Sequence, residues 1–258
     1  MSKAPSTDKP LVQFDQVTYQ HYGKPTPALS DVNLTVRRGS FTLLVGPSGS
    51  GKSTLCMLLN GIIPQILGGK LNGKVTVDGQ DVSKTPVQEL AKSTGMLFQD
   101  PEWMFATLKV EDEVAFGPEN LRRDPAEILE SVEQSLNYVG MEHLRRNLVW
   151  ALSGGQTQKL GLAAVIAMGT PLIVLDEPTA NLDPLTEKQV LETLFNVMKR
   201  KTSLLITHRL VGLENMDEII VMDHGQIVER GTHADLKNNN GLYRRLLDLQ
   251  NRMLEEKA

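Results

Sequence analysis

Gly46-Pro-Ser-Gly-Ser-Gly-Lys52-Ser53 has the residue types and spacing of a polyphosphate cradle, G-x-x-x-x-G-K-[ST]. Glycines let successive backbone N–H groups converge on an anion, and a helix starting there adds partial positive charge. Pro47, Ser48, Gly49, Ser50, Gly51 and Thr54 complete the loop. Lys52 can reach the β- and γ-phosphates of a nucleotide, and the Ser53 hydroxyl can ligate Mg²⁺. The bland alternative is a glycine-rich turn with a chance lysine; a buried strand before it and a helix after it count against that.

A second chemical group ends the apolar run "LIVLDEP". Asp176 suits the surroundings of Mg²⁺, and Glu177 suits a base that polarises water for attack on a γ-phosphate. Adjacent acids after a strand are often only a solvated turn, so this pair takes its meaning from the phosphate loop. His208, closing "SLLITH", can hold the attacking water. Gln99, closing "GMLFQ", is neutral and long enough to touch Mg²⁺ or water and let go. His21, His143, His224 and His233 show no metal-ligand spacing and read as surface or turn residues.

These groups need a scaffold that delivers them to one edge. "LVQFDQVTY" alternates as a half-buried strand does, whereas "SFTLLVG", "PLIVLDEP" and "TSLLITH" read as strands buried on both faces. "KVTVDGQDV" predicts a hairpin turning at Asp78-Gly79. From Pro101 to about Trp150 the pattern is helical, with Asp124 and Pro125 opening "DPAEILESVEQSLNYVG". "TQKLGLAAVIAM", "LTEKQVLETLFNVMKRK" and "GLYRRLLDLQNRMLEEK" are further helices, and "DEIIVMDHGQIVERG" a hairpin near His224-Gly225. Strands alternating with helices imply an α/β domain with a mostly parallel sheet.

At 258 residues the chain is long for one domain and short for two, so one domain with an insertion is expected. A net charge of −4 gives no support for binding nucleic acid through bulk electrostatics. Cys56 is the only cysteine, lies in an apolar segment, and reads as a buried structural thiol in a reducing compartment. The N-terminus has no apolar signal, and the uncharged run from Leu160 to Leu175 is too short and broken to span a bilayer. A soluble chain is expected, with any membrane role arising through a partner.

One stretch remains, "ALSGGQTQKLGL", far downstream of the phosphate loop. Ser153 offers a hydroxyl, Gly154 and Gly155 bare their N–H groups, and a helix start near Gln156 points its positive end outward. A capping box from Ser153 to Gln156 is expected as well, but does not account for the double glycine. With the phosphate loop at Gly46–Thr54, Gln99, "LSGGQ" at Leu152–Gln156, Asp176-Glu177, "NLD" at Asn181–Asp183 and His208 in order, the chain resembles the ATP-binding-cassette ATPases over nearly its whole length.

That resemblance implies a nucleotide-triphosphatase core with a mostly parallel sheet, an antiparallel β subdomain and an inserted α-helical subdomain at about 100–155. The domain would run from 9 to 250, with a flexible segment at 1–8 and a C-terminal helix at 241–258. It implies ATP and Mg²⁺, the latter near Ser53, Gln99 and Asp176, and Asp183 in the loop after the acidic strand. Two cassettes would face head to tail, each signature closing over the other's nucleotide. An aromatic near the start would stack on adenine, with Tyr22 the first candidate and Tyr19 behind it.

The stretches "FQDPEWMFATLKVEDEVAFGPENL" and "NGIIPQILGGKLNGKVTVDG" are similar to the ATPase subunits of energy-coupling-factor importers. That implies a peripheral subunit on the cytoplasmic face of the cell membrane. Its partners would be a second ATPase, identical or a sibling, an integral coupling protein and a small membrane protein capturing a vitamin or metal ion. Trp103, Met104 and Phe105 would belong to the docking groove, with Phe105 packed inside the helical insert as the alternative. "GTHADLKNNNGLYRRLLDLQ" is closer to exporter-type cassettes, and Lys159 stands where Arg is commoner. The rivals are the ATPase subunit of another ABC transporter type, a soluble cassette ATPase on nucleic acid or ribosomes, and a regulator that binds nucleotide without turning it over. The short interval between the motif halves, the single cassette and the retained Glu177 and His208 argue against the last two.

Overall fold

The pentapeptides FTLLV, LIVLD and TSLLI are buried at every position, whereas VQFDQVTYQ alternates. That contrast sorts the strands into a core sheet and an outer one. The structure, a computed structural model, describes residues 9–180, 182–198, 201–207, 212 and 216–255. Its first half runs β1 (Val12–Gln20), β2 (Leu29–Val36), β3 (Phe41–Val45), α1 (Lys52–Leu59), α2 (Ile62–Gln65), β4 (Lys70–Val77), β5 (Gln80–Asp81), α3 (Val87–Leu90) and β6 (Thr94–Leu97). Then come α4 (Val110–Asn120), α5 (Pro125–Val139), α6 (Gly154–Ala167), β7 (Leu172–Asp176), α7 (Pro184–Met198) and β8 (Thr202–Ile206). The chain closes with β9 (Glu218–Asp223), β10 (Gln226–Gly231), α8 (His233–Asn238) and α9 (Leu242–Glu255).

Among the described residues, β6, β7, β8, β3 and β9 lie side by side in parallel, with β10 antiparallel at the edge. The outer sheet is antiparallel, in the order β2-β1-β4-β5. Asp78 and Gly79, both at positive φ, make the expected tight turn between β4 and β5. The α/β class, with parallel core and antiparallel sheet, is therefore observed.

Period-two alternation along each core strand feeds two hydrophobic clusters. Leu44, Val174, Leu204, Ile206 and Ile220 face α1 and the outer sheet. Leu43, Val45, Ile173, Leu175, Leu205 and Val221 face the helical side, with α4, α5, α6 and α7. Each such side chain contributes about 1.5–3 kcal/mol when fully buried. A one-residue slip in any of these strands would exchange its two faces.

The helical insert is anchored by polar contacts as well as packing. The buried Glu113 carboxylate accepts from the N–H groups of Ala106 and Thr107 and from the Thr107 hydroxyl. Arg145 pairs with Glu111 at 2.7 Å. α5 opens as expected, with Asp124 at the N-cap and Pro125 in the first turn, but the Asp124 side chain makes no capping hydrogen bond. The sequence pattern did not anticipate α8, which is only six residues long and held by a Thr232–Asp235 capping box. Behind it, the Tyr243 hydroxyl meets His233 Nδ1 at 2.7 Å, and burial pushes the phenol up to about 12. No helix among the described residues is long and apolar enough to cross a membrane.

Candidate nucleotide site

The turn from β3 into α1 is where the fold delivers the phosphate loop. Gly46 has φ +152° and a Cβ there would sit 2.1 Å from the Met222 carbonyl oxygen; at Gly51, φ +99°, a Cβ would sit 2.5 Å from the Ala28 carbonyl oxygen. Only glycine meets both demands, conformational and steric. The loop leaves a cavity of about 430 Å³ lined by Gly46, Ser48, Gly49, Gly51, Lys52, Ser53, Thr54, Gln99, Glu177 and Ala28. Most of the sequence-predicted phosphate-loop residues thus meet Gln99 and Glu177 at the carboxyl ends of parallel strands, where such sheets bind ligands.

Lys52 is mostly buried, and its ammonium donates to the carbonyls of Gly46 and Pro47, both at 2.9 Å. Burial lowers its pKa, against the pull of Glu177 and Asp176. Asp176 is buried at the end of β7. Desolvation raises its pKa, opposed by a hydrogen bond with Ser53. Its Oδ1 has no protein partner. An orphaned buried carboxylate oxygen beside the Ser53 hydroxyl, with Gln99 lining the same cavity as Ser53, is a hard-oxygen donor set, and it fits Mg²⁺ or the water around it. No cluster of three or more His, Cys, Asp or Glu suited to a metal occurs among the described residues.

Glu177 leaves the sheet with φ +49°, an uncommon conformation for a non-glycine residue. Its N–H donates to the Ile206 carbonyl at 2.9 Å, which holds the turn against that cost. The adjacent acids therefore diverge: Asp176 is buried under the loop while Glu177 lines the cavity. His208 and Asn181 lie outside the described residues. Cys56 is fully buried with its thiol pKa pushed well up, as expected of an inert structural thiol.

Near the loop that follows β1, the two tyrosines part company. Tyr19 is buried, its hydroxyl donating to the Gly68 carbonyl at 2.7 Å, and so is committed to the core. Tyr22 is 78% exposed, its ring over Gly68, outside the residues that line the cavity. Between them stands a ring assigned above to the surface: His21 Nε2 lies 3.4 Å from the hydroxyl of Thr54, the last residue of the phosphate loop. A second residue missed in the sequence is Gln158 of α6, whose buried side-chain amide donates to the Gln99 carbonyl at 3.1 Å. Its 59-residue separation from Gln99 leaves no local signal.

The signature stands apart. None of Ser153, Gly154, Gly155 or Gln156 lines the phosphate cavity. Ser153 caps α6 in the expected capping box, with Gln156 N donating to Ser153 Oγ at 3.4 Å and Ser153 N to Gln156 Oε1 at 2.9 Å. The two glycines divide in role. Gly154 is exposed and open, whereas Gly155 is buried and a Cβ there would sit 2.3 Å from Thr186 Cγ2. Close packing on α7 thus gives the second glycine a structural reason of its own, beside the anion role expected for both. Asp183 caps α7, accepting from the N–H groups of Leu185 and Thr186, each at 3.1 Å. Its pKa is lowered chiefly by the hydrogen bond with the Thr186 side chain.

Residues 29–180 match the family model described as ABC transporter. The chain belongs to that family. A putative ABC transporter ATP-binding protein of Methanosarcina mazei is 43% identical over 239 residues, covering 92% of this chain and 40% of the relative. This chain therefore spans less than half the length of that relative. A Pyrococcus abyssi protein of the same description is 37% identical and covered over 83% of its length, against 89% of this chain. Among solved structures, cbiO1 from Clostridium perfringens, described as part of the ABC transporter complex cbiONQ, aligns with a TM-score of 0.78 at 28% identity, covering 96% of this ABC chain and all of cbiO1. A bacterial Atm1-family ABC exporter with ATP bound gives 0.77 at 28% identity, covering 96% of this chain and 43% of the exporter chain.

Proposed function

We propose that this ABC chain is the ATP-hydrolysing subunit of a membrane importer of the energy-coupling-factor type, working as one half of a cassette pair at the cytoplasmic face of the membrane. The observation that carries the ATPase reading is the meeting of Lys52, Ser53, Gln99 and Glu177 around one cavity, with buried Asp176 beneath. Backbone N–H groups and Lys52 hold the phosphates. Mg²⁺, held by Ser53 and Gln99 with Asp176 behind them, would neutralise charge on the phosphate oxygens. Water adds to the γ-phosphorus, its proton passes to the Glu177 carboxylate, and the bond to the bridging oxygen breaks to leave ADP. His208 is assigned to the attacking water on the family resemblance.

The composite-site reading is supported by the isolation of Ser153 and Gly154, an exposed helix start away from the phosphate cavity. The pair closes on ATP and reopens once the γ-phosphate is gone. The transport role is supported by an apolar groove of about 380 Å³ beside the Gln99 segment, where Met104, Phe105, Phe116, Leu121 and Met168 meet. Apolar side chains gathered at a surface suit a protein partner, and the whole length of cbiO1 is matched by this chain.

Glu177→Gln tests both parts. Hydrolysis should fall about 10²–10⁴-fold, ATP should remain bound in a sedimenting dimer, and pull-down of that trapped form from membranes should recover an integral partner. Unchanged turnover removes Glu177 from the mechanism. Recovery with nucleic acid or ribosomes instead removes the transport reading while leaving the ATPase intact.

A further inference from the structure

We propose that Trp150 is an aromatic clamp that packs on the ribose and base of the nucleotide held by the partner cassette. This rests on the reading that each signature closes over the other subunit's ATP. Trp150 sits in the single 3₁₀ turn Val149–Ala151 immediately before the signature and is 66% exposed. The turn is pinned: Val149 N donates to the Leu108 carbonyl at 2.9 Å, and Ala151 N to that of Leu148 at 3.0 Å. Val149 and Leu152 pack inward against the helical core, while Trp150, Ala151, Ser153 and Gly154 are exposed.

A large flat ring and the open helix start assigned above to a neighbour's phosphates thus share one surface, three residues apart. That separation spans at most about 10 Å of backbone. A ligand with both polyphosphate and a planar ring satisfies the two at once, and a nucleotide is such a ligand. Indole stacking on a base is favourable for any purine or pyrimidine. A tryptophan with only two rotatable side-chain bonds loses little freedom in doing so. This chain's own phosphate cavity is not the occupant's place, since Trp150 does not line it.

The chain has two tryptophans, so Trp103→Phe leaves Trp150 as the only indole. In a Trp103→Phe, Glu177→Gln protein with Mg²⁺, ATP titration should shift Trp150 emission in step with dimer formation by sedimentation. Inorganic triphosphate, lacking sugar and base, should leave the emission unmoved even at concentrations that pair the subunits. Adding Trp150→Ala to the Glu177→Gln protein should raise the ATP needed for half-maximal pairing about tenfold, and Trp150→Phe should recover most of that.

If triphosphate shifts the emission as ATP does, the ring meets partner protein and the proposal falls. If Trp150→Ala pairs at the same ATP concentration as its parent, the proposal falls while the composite site stands. If the parent never pairs on ATP, the composite site itself fails and the clamp fails with it.

Discussion

The phosphate loop and the start of α6 are both glycine-bearing helix starts, but they are finished to different degrees. The loop closes on itself: Lys52 is held by two of its carbonyls, Gly46 is pressed against Met222, and Gln99 and Glu177 wall the remaining space. At the signature, Ser153 and Gly154 are exposed and the cavity lies elsewhere. One glycine pattern serves to enclose, the other to present. The difference teaches that a glycine must be read from its surroundings, since conformational freedom at Gly46 and close packing at Gly155 look alike in a string of letters.

The contrast can be broken at three places. The largest effect is expected at Gly46→Ala, where an unfavourable φ and a backbone collision coincide. Stability should drop by about 2–3 kcal/mol, and ATP binding, followed by calorimetry, should be lost. A variant that binds ATP normally would show that the loop tolerates far more adjustment than its geometry implies.

Asp176→Asn comes next and separates binding from stability. Burial raises the Asp176 pKa, so its ionised form costs folding stability at neutral pH, and that cost is relieved as pH falls through the raised value. Without nucleotide and Mg²⁺ the variant should melt above the parent at neutral pH, with the gap closing on acidification. Its Mg²⁺-dependent hydrolysis should nevertheless fall about 10–100-fold. A lower melting temperature at neutral pH would contradict the burial argument.

The smallest effects distinguish the signature glycines. Gly155→Ala should cost about 1–3 kcal/mol as Thr186 is displaced. At Gly154 an added Cβ meets only Leu182 Cδ2 at 3.7 Å, so alanine there should leave the stability within about 0.5 kcal/mol of the parent. Equal melting temperatures for the two variants would collapse the distinction.

Local chemistry was legible in the sequence. The phosphate loop, the acidic strand end, the Asp78-Gly79 turn and the Ser153 capping box each depend on residues within a few positions of one another; the turn and the capping box are observed as read, and the loop shares one cavity with Glu177. What escaped depends on distance along the chain or on sub-residue register. Gln158 finds Gln99 only because α6 packs beside the end of β6. The loop after β1 turns so that His21, and not Tyr22, reaches Thr54. Gly155 needed the position of Thr186 before its reason could be seen. The six-residue α8 is too short for periodicity to mark.

The amide of Gln158 has one more consequence. It ties α6, five residues on from Ser153, to the Gln99 segment that lines the phosphate cavity. In the pairing proposed above, a displacement of Gln99 would be felt at the face offered to the other cassette.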